Sequence, residues 1–267
     1  MLRRFHKMHG LGNDFVVIDA RGEPVEIGAA EARAIADRRT GIGCDQLIVI
    51  EPSDAADLRM RIFNADGGEV EACGNAARCV ALLLGGDSAI ETAGGIVRGA
   101  ANGAAATIDM GAPRFGWDEI PIAYAMDTAA MPVGWEVLES PFAVNVGNPH
   151  VVFFVENADA VELERLGPLV ENDPLFPQRI NVNIAHVDGG AIQLRVWERG
   201  AGLTRACGTG ACATAVAAIS RGLAASPVEV RLPGGRLTVA WERGGPILMT
   251  GAAAHVFSGE IDLEAFA

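Results

Sequence analysis

The chain is an internal duplication, and both copies turn on one arrangement: a cysteine, a glycine, then an alanine-rich apolar helix. Glu71-Ala72-Cys73-Gly74-Asn75-Ala76-Ala77 matches Arg205-Ala206-Cys207-Gly208-Thr209-Gly210-Ala211 at an offset of 134 residues. The same offset pairs Arg61-Ile62-Phe63-Asn64 with Arg195-Val196-Trp197-Glu198, and Gly68 with Gly202. An offset of 135 pairs Gly12-Asn13-Asp14-Phe15 with Gly147-Asn148-Pro149-His150, and Gln46-Leu47-Ile48-Val49 with Asn181-Val182-Asn183-Ile184. Towards the end of each half the offset grows to 140, where Ile108-Asp109-Met110-Gly111 meets Leu248-Met249-Thr250-Gly251. One loop insertion after the second cysteine helix accounts for the growth. Two units are too few for a solenoid and predict a duplicated domain folded about a pseudo-twofold axis.

Each half has the same run of elements. Phe15 to Ile18 and Val151 to Val155 are β-branched runs that read as strands, as do Leu47 to Ile50 and Val182 to Val187. Leu58 to Phe63 and Ile192 to Trp197 alternate apolar with polar residues and predict half-buried strands. The cysteine helices then run to about Leu84 and Ile219. Two further strands close each half: Ile90 to Val97 with Ala106 to Met110, and Val228 to Leu232 with Leu237 to Trp241. Glu31 to Asp37 and Ala160 to Val170 are weaker helices. A helix apolar nearly all round, as 73–84 and 207–219 are, must be buried. The sequence therefore predicts an α+β fold: two pseudo-twofold-related domains, each a curved mixed β-sheet or barrel wrapped around a central helix. The halves are placed at 1–116 and 117–267, with a Pro-, Gly- and Trp-rich linker between Ala112 and Pro141.

Charge excludes some functions. With 34 acidic and 21 basic residues the chain carries a formal charge of −13, which repels phosphate backbones, so no nucleic-acid partner is expected. Met1-Leu2-Arg3-Arg4 is followed by no apolar stretch, and no segment is long and apolar enough to span a membrane. Five cysteines without a secretory signal predict a reducing, cytoplasmic setting.

The cysteine-glycine helix starts carry the chemistry. Unpaired N–H groups and the helix dipole favour a thiolate there, and glycine lets a ligand approach the backbone. The N–H groups of Gly74-Asn75 and Gly208-Thr209 form anion sites that suit a carboxylate. Proton abstraction next to that carboxylate would then be aided at both helix ends. Two adjacent thiolates repel, so one thiolate and one thiol is the expected state, which a two-base racemase needs. A single cysteine is usually inert packing, and Cys44, Cys79 and Cys212 are read so. Cys73 with Cys79 and Cys207 with Cys212 lack zinc spacing, and there is no Cys-x-x-Cys motif. No metal and no cofactor are expected; a thiol-redox or amino-acid-binding protein remains the rival of a different class.

Several motifs together resemble the diaminopimelate epimerase family, over nearly the whole length. They are Met8-His9-Gly10-Leu11-Gly12-Asn13-Asp14-Phe15, Gly43-Cys44-Asp45-Gln46, Phe63-Asn64-Ala65-Asp66-Gly67, Cys73-Gly74-Asn75, Gly147-Asn148-Pro149-His150, Asn181-Val182-Asn183, Trp197-Glu198-Arg199-Gly200 and Ala206-Cys207-Gly208-Thr209-Gly210-Ala211-Cys212. The resemblance implies a cofactor-independent epimerase with Cys73 and Cys207 as acid/base residues. Gly74, Asn75, Gly208 and Thr209 would bind the reacting carboxylate. Glu198 would neutralise the reacting ammonium and, with His150, tune the thiol pair. Asn13, Gln46, Asn64, Asn148, Asn181 and Arg199 would recognise the far end of the substrate. The family also implies a site in the cleft, a homodimer, and a C-terminal segment from about 253 to 267 crossing back to the first domain. Ala76 departs from the pattern, since the family usually has glycine there. A proline or hydroxyproline racemase, or an isomerase of the phenazine-biosynthesis type, would share the architecture; the row of asparagines with Arg199 argues against the compact apolar pocket of the first.

Overall fold

The computed structural model describes residues 2–71 and 73–266. Ala72 of the first cysteine motif, and Met1 and Ala267 at the limits of the predicted halves, lie outside the described residues. The chain divides into two compact units, one holding residues up to Ile108 together with those from Gly251 on, the other Asp109–Thr250.

The first unit contains β1 (Leu2–Gly10), β2 (Asn13–Asp19), α1 (Ala29–Ala36), β3 (Gln46–Glu51), β4 (Leu58–Asn64), β5 (Glu69–Val70), α2 (Gly74–Leu84), β6 (Gly86–Thr92), β7 (Gly95–Asn102) and β8 (Ala105–Asp109). The second contains the short hairpin β9 (Gly134–Trp135) and β10 (Leu138–Glu139), then β11 (Phe142–Asn145), β12 (Pro149–Phe154), α3 (Leu163–Glu171), β13 (Asn181–Asp188), β14 (Ala191–Glu198), β15 (Gly202–Thr204), α4 (Gly208–Ser220), β16 (Val228–Leu232), β17 (Gly235–Ala240) and β18 (Leu248–Ala252). The last strand, β19 (Ala254–Asp262), pairs antiparallel with β1 from Leu2↔Asp262 to His9↔Ala254.

The two units share one strand order. In the first, β1 pairs antiparallel with β2, β2 lies parallel to β3, and β3 runs antiparallel to β4. β4 then pairs antiparallel with β5 and parallel with β6, which turns back into β7. In the second, β11 and β12 are antiparallel, β12 and β13 parallel, and β13 and β14 antiparallel. β14 pairs antiparallel with β15 and parallel with β16, which turns back into β17. The expected α+β class, with two similar mixed-sheet units each built on a buried helix, is found.

Helices on both faces explain why the parallel strands are apolar without a break. Val16, Ile18, Leu47, Val49 and Phe63 form a core with Ala32 and Ile35 of α1. Val151, Phe153, Val182 and Ile184 do the same with Leu163, Leu166 and Val170 of α3. Side chains alternate along a strand. The intervening residues Asn13, Phe15, Gln46 and Ile48, and Asn148, His150, Asn181 and Asn183, therefore share the opposite face, the face of the cysteine helices. There α2 packs on β1, β6 and β7, while α4 touches β11, β12, β13, β14, β16 and β17. Every residue of α4 from Gly210 to Ala218 is buried, as alanine-rich sequence permits. Gly85, with φ +74°, ends α2 in a backbone state that favours glycine.

Three expectations differ in detail. The strand predicted from Ile90 to Val97 is two strands, β6 and β7, broken at the Ala93-Gly94 turn. The weaker helices begin elsewhere, at Ala29 and Leu163. The stretch 112–141, read as a linker, is packed: Ile120, Ile122, Met131 and Leu138 join the core beneath α3. Its prolines and glycines prevent regular elements, but its apolar residues still bury. No helix among the described residues is long and apolar enough to cross a membrane.

Candidate active site

Short strands deliver the cysteines. β5 and β15 each pair with the end of the preceding long strand and lead into the helix start. Cys73 and Cys207 occupy the N-cap positions of α2 and α4 in extended conformations (φ −146°, ψ 111° and φ −124°, ψ 109°). Each sulfur therefore stands beside a first turn whose N–H groups lack helical partners.

Around Cys73 the partners are amides. Its thiol donates to Asn13 Oδ1 at 3.9 Å, and the same oxygen accepts from Asn75 Nδ2 at 3.1 Å. Asn13 Nδ2 donates to Asp45 Oδ2 at 3.0 Å. Asp45 is held by Arg38 at 2.8 Å, and Arg38 also reaches Asp14 at 2.6 Å. Lys7 completes the cluster on Asp14. Although burial opposes it, Arg38 and Lys7 hold the Asp14 carboxyl well below the usual range. Gln46 Nε2 donates to Asn64 Oδ1 at 2.9 Å across their shared register in β3 and β4, while Gln46 Oε1 is buried without a partner.

Around Cys207 the partners differ. The sulfur accepts from Gly210 N–H at 3.3 Å and lies 3.5 Å from the Thr209 hydroxyl. The Glu198 carboxylate, whose charge acts on this thiol, accepts from Thr204 Oγ1 at 2.6 Å. Burial, and then the Glu198 charge, push the Cys207 thiol far above its ordinary value. Burial likewise raises Glu198, a shift opposed by the hydrogen bonds from Thr204 and Cys207.

His150 has no exposed surface and sits between two asparagines. Asn183 Nδ2 lies 3.1 Å from Nδ1 and also donates to the Val151 carbonyl at 2.9 Å, so Nδ1 is the acceptor. Nε2 then carries the proton and donates to Asn148 Oδ1 at 2.8 Å. Burial pushes His150 down to about 3, so the ring is neutral at physiological pH. Asn181 uses both ends of its amide internally, donating to the Pro149 carbonyl at 2.8 Å and accepting from Arg199 N–H at 2.9 Å. The Arg199 guanidinium donates to the Gln178 carbonyl at 3.1 Å.

Comparison with known proteins gives the family. The family model described as diaminopimelate epimerase matches residues 5–116 and 142–256. A diaminopimelate epimerase of Rhizorhabdus wittichii is 68% identical, over 98% of this chain and 97% of that one. One of Sphingopyxis alaskensis is 64% identical over the whole of both chains.

This chain belongs to the diaminopimelate epimerase family.

Solved structures with the same fold include a phenazine biosynthesis protein of the PhzF family from Enterococcus faecalis, 13% identical with a TM-score of 0.73 over 98% of this chain and 100% of that one. A hydroxyproline epimerase from Agrobacterium vitis is 17% identical, with a TM-score of 0.70 over 97% of this chain and 92% of that one. At such identities the likeness concerns the fold alone.

Within the family frame, the first unit gathers Cys73, Asn13 and Asn75 into one hydrogen-bonded group, with Gln46 and Asn64 in a second. The second unit joins Cys207, Thr209 and Glu198, and separately His150 with Asn148 and Asn181 with Arg199. Sequence reasoning missed the supports: Asp45 beneath Asn13, Thr204 beneath Glu198, and Asn183 beneath His150. Asn183 stood within a quoted motif, two residues from Asn181 and so on the same face, which was the available signal. Ala76 also finds a reason. Its counterpart Gly210 has no room for a Cβ, which would lie 2.7 Å from Asn183 Oδ1 and 3.2 Å from Cys207 Sγ. At the Asn183 position of the repeat the first unit has the apolar Ile48, and the Ala76 methyl is fully buried.

Proposed function

We propose that this protein interconverts LL- and meso-diaminopimelate by a cofactor-independent, two-base proton transfer at the α-carbon. The observation that carries the reading is the pair of N-cap cysteines, Cys73 and Cys207, at equivalent positions of a duplicated fold. One thiolate takes the α-proton and becomes a thiol. The electron pair left on carbon delocalises into the carboxylate, whose oxygens gain charge and are met by the N–H groups of Gly74, Asn75, Gly208 and Thr209. The other thiol gives its proton to the opposite face and becomes the thiolate, so each turnover leaves the pair with exchanged protonation.

Glu198 suits two duties. Its charge helps to keep the proton on Cys207, the thiol that delivers it to the substrate, and the same carboxylate takes the reacting ammonium. The unused acceptor Gln46 Oε1 fits an ammonium hydrogen at the far end of the substrate, beside Asn64. In this reading the half 1–116, joined by about 253–267, and the half from 117 each bring one cysteine, His150 holds Asn148 in place, and the enzyme works in the cytoplasm as a homodimer.

The test is LL-diaminopimelate in deuterated water, followed by chiral chromatography and mass spectrometry. The inverted carbon should carry deuterium, and Cys73→Ser and Cys207→Ser should each lower turnover by about 10²- to 10⁴-fold. Inverted product without α-deuterium, or a substrate panel in which proline is inverted instead, rejects the proposal.

A further inference from the structure

Arg78 lies in the second turn of α2 and is the largest side chain with no exposed surface. A guanidinium out of water is costly unless its donors are used. Arg78 Nη2 donates to Asn75 Oδ1 at 2.7 Å. The space for it is made by Gly10, the last residue of β1, where a Cβ would lie 2.9 Å from that same nitrogen. From Asn75 the path continues through Nδ2 to Asn13 Oδ1 at 3.1 Å, and from that oxygen to the Cys73 sulfur at 3.9 Å. The repeat-equivalent residue in α4 is Cys212, so the second unit has no such cation in its helix.

We propose that Arg78 is a positioning residue for Cys73: through Asn75 it fixes which end of the Asn13 amide faces the sulfur, and it places a permanent positive charge behind the first turn of α2. The inference rests on the reading of Cys73 as an acid/base residue.

An amide can present either end, but a guanidinium can only donate. Arg78 therefore turns Asn75 Oδ1 inward and Nδ2 towards Asn13. Asp45, accepting from Asn13 Nδ2, holds the same orientation from the other side. The charge cannot be lost, because a guanidinium stays protonated in proteins. It adds to the positive end of the helix, where a thiolate or a carboxylate is favoured. Arg78 and Cys79 stand on the same helix as Cys73 and, beyond Asn13, comes the cluster of Asp45, Arg38, Asp14 and Lys7. That cluster holds two acids and two bases and largely offsets itself.

The experiment is the pH dependence of iodoacetamide alkylation at Cys73 and Cys207, read separately by peptide mapping of the full-length protein. Arg78→Met should raise the pH midpoint at Cys73 by about one unit or more, the scale of losing a nearby opposite charge, and leave Cys207 where it is. Arg78→Lys should restore most of the Cys73 midpoint. Gly10→Ala displaces the guanidinium without removing it and should give a smaller rise at Cys73 alone. A wild-type midpoint at Cys73 in Arg78→Met, or an equal shift at both cysteines, overturns the proposal. Should Arg78→Met fail to fold, a wild-type Cys73 midpoint in Gly10→Ala overturns it instead. Alkylation reads the thiol and not turnover, so a failure to epimerise diaminopimelate would reject the functional reading and leave this result standing.

Discussion

Cys73 and Cys207 have the same backbone setting and opposite chemical surroundings. Cys73 gives its hydrogen to a neutral amide oxygen, and no side-chain cap bond closes its helix. Cys207 feels the charge of the Glu198 carboxylate and receives the Gly210 N–H. The polar support has also changed sides. In the first unit it comes from the helix, as Arg78 and Asn75, against the apolar strand residues Phe15 and Ile48. In the second it comes from the strands, as His150 and Asn183, against a helix with Cys212 and alanines. Duplication preserved the main chain and the sulfur, while the groups that govern the sulfur diverged. A reaction that needs one thiolate and one thiol gains from two sites that are not equivalent.

The largest expected effect tests the charged partner of Cys207. Glu198→Gln should lower turnover by about 10²-fold, in line with the loss of one electrostatic contact to the reacting group. Because the Glu198 charge pushes the Cys207 thiol upward, the variant should alkylate Cys207 at lower pH than wild type, with Cys73 unmoved. If both cysteines move, the effect of Glu198 is not confined to its own thiol.

Next comes the room at the second helix start. Gly210→Ala should cost about 1–3 kcal/mol in urea unfolding, since its methyl meets Asn183, Val196 and the sulfur itself. The reverse change at the matching place, Ala76→Gly, should cost about 1 kcal/mol or less and spare turnover. Equal costs would erase the asymmetry.

His150 provides a pH signature. Its ordinary value is 6.5 and burial pushes it down to about 3. Between those values the unfolded chain takes up a proton that the native ring refuses, so stability falls as pH falls. From about pH 7 to about pH 5 the loss from this group is about 2 kcal/mol. Denaturant titrations should show that much less acid destabilisation in His150→Gln than in wild type; equal slopes would mean that the ring is protonated in place.

How far the site was legible follows from what sequence spacing encodes. The duplication put Cys73 and Cys207 at two equivalent helix starts, where the structure has them, and the alternation of strand residues grouped the asparagines of each half. Contacts that depend on two elements at once were hidden. Asp45 reaches Asn13 only because β2 and β3 run parallel in the register Phe15↔Gln46. Thr204 reaches Glu198 only through the β14–β15 turn. Arg78 sits in a helix read as apolar nearly all round, and nothing in periodicity separates a buried arginine from an exposed one. The stretch 112–141 misled for the opposite reason: its turn-forming residues dominate the pattern, while the burial of Ile120 and Met131 depends on α3.

The pairing of β1 with β19 also bears on how the molecule comes into being. Asp109–Thr250 is one unbroken piece of chain and has all its parts once Thr250 is made. In the other unit β1 precedes that piece of chain, while Ala254–Asp262, the strand that covers its open side, follows it. During translation this unit is thus begun before the other and completed after it, and until then β1 presents an unpaired strand edge, the feature that chaperones and unwanted partners both recognise.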